Sequence, residues 1–340
     1  MTDIAKSPRA WRTLLAAYQR PNAVRSVVEI LLTVGPLALL WVIAWFAVSA
    51  GLWWAALLLA LPSAAFVVRL FMIQHDCGHR AFFQNGALND WLGRVIGIVT
   101  LTPYDCWRRE HAIHHATSGD LDRRSIGAVT TLTVAEYQSL KPLQRFGYRL
   151  YRHPIVLFLL GPFYVFFLQQ RLPVGLEKEG WRPWLSAMGT NLALAVFIAV
   201  AIMAGGWKAL LLVHLPTLMV AASIGVWLFF VQHQFEHVHW VRHDEWDHTA
   251  AALEGSSHYD LPAPLRWLTG NIGVHHVHHV ASRIPFYRLP TVLKQHPELK
   301  QMGRLTLLQS VRCVGLALWD EAGRRLISFR DLRMGMAASA

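Results

Sequence analysis

Charge is what this chain has least of. Asp, Glu, Lys and Arg make up 16% of its 340 residues, against about a quarter in ordinary soluble domains. Acids are scarcer than bases, 21 against 32, which leaves a formal charge of +11. Cysteine is also sparse: Cys77, Cys106 and Cys313 are the whole complement, with no C-x-x-C pair. A disulfide scaffold, a thiolate zinc site and a protein-held iron–sulfur cluster are thereby excluded. No helix-turn-helix, aromatic RNA-binding motif or basic low-complexity tail accompanies the positive charge, so no nucleic-acid partner is expected. No solenoid-period repeat is present, and the polar residues from Lys6 to Arg25 lack a signal-peptide layout. Apolar residues, by contrast, reach 54%, with 15 Trp and a mean hydropathy of +0.31. That composition belongs to an integral membrane protein.

A helix rising about 1.5 Å per residue needs about 20 apolar residues to cross about 30 Å of hydrocarbon. Four stretches qualify: Ile30–Ala50, Gly51–Ile73, Trp184–Ala204 and Trp207–Val231. They pair into two hairpins with turns near Ala50-Gly51 and Gly205-Gly206, so the expected fold is all-α with four spans in a single domain, 1–340. Gly35, Pro36, Pro62 and Pro216 lie inside these runs, where membrane helices tolerate them. A fifth run, His153–Gln170, is short and interrupted by Gly161-Pro162. If it crossed the bilayer, the histidines before and after it would lie on opposite faces, so it is read as re-entrant or interfacial. Leu88–Leu101, amphipathic with Gly93 and Gly97, is read as interfacial too. Basic residues crowd the segments before Glu29, from Gln74 to Arg152 and after Trp240, while the far-side turns hold only Lys208. The positive-inside rule then places both termini and the polar segments 1–29, 74–183 and 232–340 in the cytoplasm, with the spans in the cell inner membrane.

The 18 histidines carry the chemistry. Four clusters stand out: His75 and His79 after the second span; His111, His114 and His115; His233 and His237 after the fourth span; and His275, His278 and His279. Spacings of i, i+3 and i+4 put each cluster on one helix stripe. Neutral imidazole is the commonest metal ligand, and all four clusters fall on one expected membrane face. Ten imidazoles exceed the four ligands of a zinc site and suit two ions, although imidazole alone does not choose among Fe, Cu, Zn and Ni. The Glu-x-x-His pairs of carboxylate-bridged sites are matched only weakly, by Glu236/His239 and Glu245/His248 in one short segment. Deaminase and metalloprotease patterns are absent. Asp76, Glu110, Asp120, Asp122, Glu236 and Asp247 are candidates to accept the outward N–H of a ligating ring.

These residues resemble the membrane fatty acid desaturases, in particular the bacterial and plastid delta-12-type acyl desaturases. The likeness rests on His75-Asp76-Cys77-Gly78-His79, His111-Ala112-Ile113-His114-His115 and His275-His276-Val277-His278-His279. It rests also on Thr117–Arg124, Val231–Glu236, Glu254–Ser257 and Tyr259–Pro262. The resemblance implies four spans and a cytosolic helical cap holding two irons. It also implies a reaction that uses O2 and two electrons to leave a cis double bond in a fatty acyl chain. It assigns His75, His79, His111, His114, His115, His275, His278 and His279 as iron ligands, with His233 and His237 as a further pair. His239 is the substitute for His237, and His276 is not a ligand.

A saturated chain offers no polar handle, so its binding measures length and shape in an apolar tunnel. Trp107, Phe82, Phe83, Trp267 and Phe230 are candidates to line it. The substrate is expected to be a fatty acyl lipid or acyl thioester. The electrons need an external donor, and an acidic ferredoxin-like carrier suits the basic face. Two other readings use the same residues: a di-iron hydroxylase or ketolase of an alkyl or carotenoid substrate, and a histidine-rich metal transporter or sensor. The last wants ionisable groups along a membrane path, and apart from Arg69 and His214 the spans are nearly free of them, Lys208 standing at the turn.

Overall fold

The structure, a computed structural model, describes residues 8–124 and 128–335; Lys6 lies outside the described residues. A short helix α1 (Pro8–Leu15) leads to α2 (Ala23–Ser49), whose first turn is capped by the Asn22 side chain accepting from the Arg25 amide. The chain reverses at Ala50-Gly51, with Gly51 at φ 79°, and returns as α3 (Trp53–Gly78). This helix runs beyond the expected end at Ile73, carrying His75 on its last turns. α4 (Gly86–Val99) exposes Leu88, Trp91 and Val95, a single stripe, and α5 (Tyr104–Thr117) follows. After β1 (Leu132–Thr133) come α6 (Val134–Ser139) and α7 (Pro142–Tyr151). A single turn, α8 (Gly161–Phe163), sits between π-helical stretches Val156–Leu160 and Tyr164–Leu168. This segment reaches span length only together with α7, from which it is bent by 60°.

α9 (Trp181–Ala209) and α10 (Leu215–His233) form one 53-residue helical run, about 80 Å at helical rise and far too long for a single crossing. Gly206 breaks it with φ 76° and ψ 163°, a conformation open to glycine. Phe197 and His214, nearly equidistant from Gly206 along the chain, meet with ring centroids 5.6 Å apart, so the two arms fold back on each other. Among the described residues three helices are long and apolar enough to cross a membrane, Ala23–Ser49, Trp53–Gly78 and Trp181–His233, the last bent at the glycine, or four if the bent pair of α7 with Val156–Arg171 counts as one. Phe46 is 71% exposed and Met203 79%, a surface suited to lipid rather than water. Helices of this length and apolarity suggest a membrane protein.

Beyond α10 the chain is not all helical, contrary to the all-α expectation. α11 (His248–Glu254), β2 (His258–Asp260), α12 (Ala263–Leu268) and α13 (His275–Val280) come first. Then follow α14 (Leu289–Gln295), β3 (Arg304–Thr306), α15 (Leu307–Cys313), β4 (Leu316–Asp320), β5 (Arg325–Ser328) and α16 (Phe329–Arg333). β2 pairs in parallel with β3, and β1-β4-β5 form a second small sheet. Strands of two to five residues leave too little alternation to be read from sequence. The principal core, including Ile73, Phe82, Phe230, Val277, Ile284 and Phe286, lies beneath the ends of α3, α10 and α13. Inside it Arg69 of α3 donates to Glu29 of α2 and to the Trp267 carbonyl, with its guanidinium 3.8 Å from the Trp267 ring centroid. Both charged side chains are 1% exposed.

Candidate metal centre

Nine imidazoles from four helices converge in two groups. His75, His79, His111, His115 and His278 make the first; His114, His233, His275 and His279 make the second. Within each group the donor atoms lie within 4.8 Å of one another. The i, i+4 pairs stay together: 75 with 79 at the end of α3, 111 with 115 on α5, and 275 with 279 on α13. The i+3 residue of each triplet crosses over, His114 to the second group and His278 to the first. α10 supplies His233 alone.

The converging atom is Nε2 throughout. His111 Nε2 lies 3.1 Å from that of His75, 3.0 Å from that of His79 and 3.1 Å from that of His115. His233 Nε2 lies 3.1 Å from that of His114 and 3.0 Å from that of His275, which is 3.0 Å from that of His279. One ring nitrogen is a single donor or a single acceptor, so His111 cannot satisfy three such neighbours by hydrogen bonding. A shared cation would satisfy all of them at once. Metal–nitrogen bonds of about 2.1 Å put ligands at right angles about 3.0 Å apart and tetrahedral ones about 3.4 Å apart. The spacings therefore fit a cation of five or six ligands better than tetrahedral zinc. Burial first, and mutual repulsion second, hold His79, His111, His115, His275, His278 and His279 well below the usual imidazole value. They are neutral lone-pair donors at physiological pH.

Around these rings, Asp76 accepts the Phe286 amide at 2.7 Å and stands 3.5 Å from His75 Nδ1, while the Gly255 carbonyl lies 3.4 Å from His233 Nδ1. The Ser257 amide donates to the Gln232 carbonyl, and the His275 amide to the Ser257 carbonyl. Glu254–Ser257 thus splices the end of α10 to the start of α13. A side chain at Gly255 would run into the Ala251 carbonyl at 2.4 Å. Asp120, wholly buried, accepts from Arg123, His243 and the amides of Asp122 and Arg123. It pins the loop after α5 to the segment after α10.

Several expected residues lie elsewhere. α10 ends at His233, so His237 is not one helical turn on; it sits exposed on a turn, outside both groups. His239 is also outside them, 3.7 Å from Glu254. Glu236 is exposed near Arg325, and Asp247 spends its carboxylate capping α11. Glu110 is not in either group; burial pushes its carboxyl up to about 7 against a hydrogen bond from Gln170. His276 donates from Nε2 to the Leu299 carbonyl, 2.9 Å away, and belongs to neither group.

Two openings reach the rings. A cleft of about 430 Å³ touches His79 and His111 and is lined by Trp107, Arg80, Arg108 and Arg283. Trp107 stacks on His111 at 4.8 Å. A smaller cavity, about 80 Å³, touches His114 and His233 and is lined by Phe229, Leu121, Val129 and Trp240. Of the expected lining residues Trp107 borders the larger of these two openings. Phe82, Phe83 and Phe230 are core packing, Trp267 is the platform for Arg69, and Phe229, one residue from Phe230, is the aromatic that faces the second group.

The sequence profile of the fatty acid desaturase family matches residues 51–307. The chain is 39% identical to a fatty acid desaturase of Bacillus subtilis over 97% of its own length and 93% of that protein's. It is 29% identical to a Synechocystis sn-1 acyl-lipid omega-3 desaturase (ferredoxin), covering 79% and 74% of the two chains. It is 26% identical to a chloroplastic omega-6 fatty acid desaturase of Glycine max, covering 74% and 59%. The chain belongs to the fatty acid desaturase family and is an enzyme that desaturates fatty acids.

Proposed function

We propose that the two imidazole groups hold two irons and that the enzyme introduces a cis double bond into an acyl chain. One –CH2–CH2– unit, O2, two electrons and two protons give –CH=CH– and two waters. The observation that carries this reading is the gathering of nine Nε2 donors into a five-membered and a four-membered set. When bound, the metal pair supplies the activation of O2 that removes unactivated hydrogens. His75, His79, His111, His115 and His278 hold one ion; His114, His233, His275 and His279 hold the other. The Gly255 carbonyl orients His233 through its Nδ1, and the Asp76 carboxylate, 3.5 Å from His75 Nδ1, favours the tautomer that leaves His75 Nε2 free to ligate. The small apolar cavity at Phe229 positions chain methylenes beside the second set and keeps water from them. The arginine-rimmed cleft over Trp107 and His111 faces an acidic external electron donor, ferredoxin-like in charge.

Four crossings, with both termini and the metal centre in the cytoplasm of the inner membrane, fit this arrangement. His114 and His233 meet in one group, so an even number of crossings separates them; α9 and α10 supply two, which leaves Val156–Arg171 re-entrant or interfacial. The substrate is an acyl lipid or acyl thioester. Gas chromatography of fatty acids from a host expressing the chain is the test. A new unsaturated species, lost with His111→Ala, is expected; a hydroxylated or keto product in its place would overturn desaturation as the outcome.

A further inference from the structure

The stretch that carries the third histidine cluster does not stay above the membrane helices. It starts level with the end of α10, where Ser257 bonds the Val231 and Gln232 carbonyls. Two residues on, the Tyr259 hydroxyl accepts from the Trp227 indole at 3.4 Å. Trp227 precedes His233 by six residues, about 9 Å down the helix. The chain then forms α12, and Trp267 packs against Phe66 at 6.1 Å and over Arg69. Phe66 precedes His75 by nine residues, about 13 Å down α3. From there the chain climbs again: Gly270 abuts Met72, the Ile272 carbonyl accepts from Gln232, and His275 arrives at the metal centre. Residues 257–275 therefore make a dip between α10 and α3 with α12 at its tip. α15 reaches the same depth, because Ser310 meets the Tyr259 hydroxyl at 3.0 Å, and β3, paired with β2, launches it in parallel.

The outward surface of this dip is apolar. The tip reads Leu261-Pro262-Ala263-Pro264-Leu265-Arg266-Trp267-Leu268, with Leu265 and Trp267 exposed. On α15, Ser310 and Cys313 face inward, while Leu307, Leu308 and Val311 share the outer side; Leu308 is 83% exposed and Val311 59%. We propose that α12 and α15 form a monotopic foot inserted into the bilayer leaflet on the histidine side. Its occupant is lipid, because Trp267 packs on Phe66 of α3, only five residues from exposed Leu61 and at a depth where that helix is still apolar. Arg266 and Arg312 carry positive charge suited to phosphate headgroups at its rim, and Trp267 is a residue type that prefers that zone. The foot suspends the third histidine cluster from the membrane, so leaflet packing bears directly on His275, His278 and His279.

This inference rests on reading α3 and α10 as spans, and the test separates the two. The native cysteines are buried, so an environment-sensitive fluorophore can be placed in turn at Leu308→Cys, at Leu61→Cys on the exposed side of α3 and at Asp244→Cys in the loop before α11. Each labelled full-length holoenzyme is put into phosphatidylglycerol-containing nanodiscs at one copy per disc. The expected result is blue-shifted emission at Leu308, quenched by shallow spin-labelled lipid; Leu61 is quenched by deep label and Asp244 by neither. Water-like emission at Leu308 with Leu61 still quenched overturns the foot and leaves the spans standing. An unquenched Leu61 overturns the spans themselves. Shielding at Leu308 that appears only with two copies per disc and resists lipid quenching overturns lipid in favour of a second copy. Val311→Cys repeats the measurement if Leu308→Cys fails to fold.

Discussion

The Glu29–Arg69 pair gives a prediction whose size follows from its surroundings. Both side chains are 1% exposed. Arg69 spends its donors on Glu29 and the Trp267 carbonyl, and Glu29 holds a second cation, half-exposed Arg25, at 2.6 Å. Glu29→Gln leaves Arg69 buried with no carboxylate, which costs about 3–5 kcal/mol. Arg69→Met leaves Glu29 with Arg25 still in place, so the loss is about that of charge-assisted hydrogen bonds, 1.5–3 kcal/mol. Removing both charges in a Glu29→Gln, Arg69→Met double variant strands neither and lies within about 2 kcal/mol of the parent. The expected coupling is therefore at least about 2 kcal/mol. Denaturant unfolding of the metal-saturated enzyme in one detergent measures it. A double variant as unstable as the sum of the two singles, or Arg69→Met costing more than Glu29→Gln, would refute the account.

Three further outcomes follow from single residues. Asp76→Asn weakens the hold on His75 and lowers metal affinity or activity by about 10–100-fold; unchanged metal content and turnover would show that the Phe286 amide is its only partner of consequence. His237→Ala, remote from both groups, leaves metal content at the parental value, whereas His233→Ala lowers it, as elemental analysis of the purified proteins reads directly. Burial opposes ionisation of Asp120, but hydrogen bonds from Arg123, His243 and the Asp122 amide outweigh it and hold the carboxyl below its usual value. Its charge therefore stabilises the fold above about pH 4 and ceases to as pH falls below that. Asp120→Asn costs about 1.5–3 kcal/mol at pH 7, and the gap to the parent narrows in acid; a pH-independent gap would assign the loss to shape rather than charge.

What could be read from the chain was whatever has a period or a spacing. The hairpin turns at Gly51 and Gly206 fell where the apolar runs break, and the imidazole triplets at i, i+3, i+4 lay on single helices. His237 lies outside both groups because that spacing keeps two rings on one stripe only while the helix lasts, and α10 stops at His233. Glu236 and Asp247 are engaged elsewhere for a related reason: a carboxylate near a histidine in sequence has rivals for it, here Arg325 and the amides of Thr249 and Ala250. Arg69 was visible as a strong charge well inside a span, but its partner, 40 residues earlier, was not, since nothing local couples Glu29 to it. The short strands and the dip at 257–275 are set by contacts with α3 and α10, which leave no local pattern.

The division of ligands has a consequence of its own. On α5 and on α13 the residues at i and i+4 lie about 40° apart around the axis and the i+3 residue about 60° to the other side. Each triplet can therefore serve two centres, two rings to one and one to the other. α5 gives its pair to the first group and α13 gives its pair to the second, an exchange that balances. The imbalance comes from α3, which adds two rings, against α10, which adds one, so the sets hold five and four nitrogens. The four-nitrogen set also borders the apolar cavity through His114 and His233. The ion held by fewer ligands is expected to leave first. Titration of the loaded enzyme with a chelator should remove metal in two steps, the first accompanied by loss of turnover. His233→Ala should abolish the first step, and His79→Ala should preserve it while weakening the second. Simultaneous release of both ions in the parent, or an unaltered two-step course in His233→Ala, would mean that ligand number does not set the order.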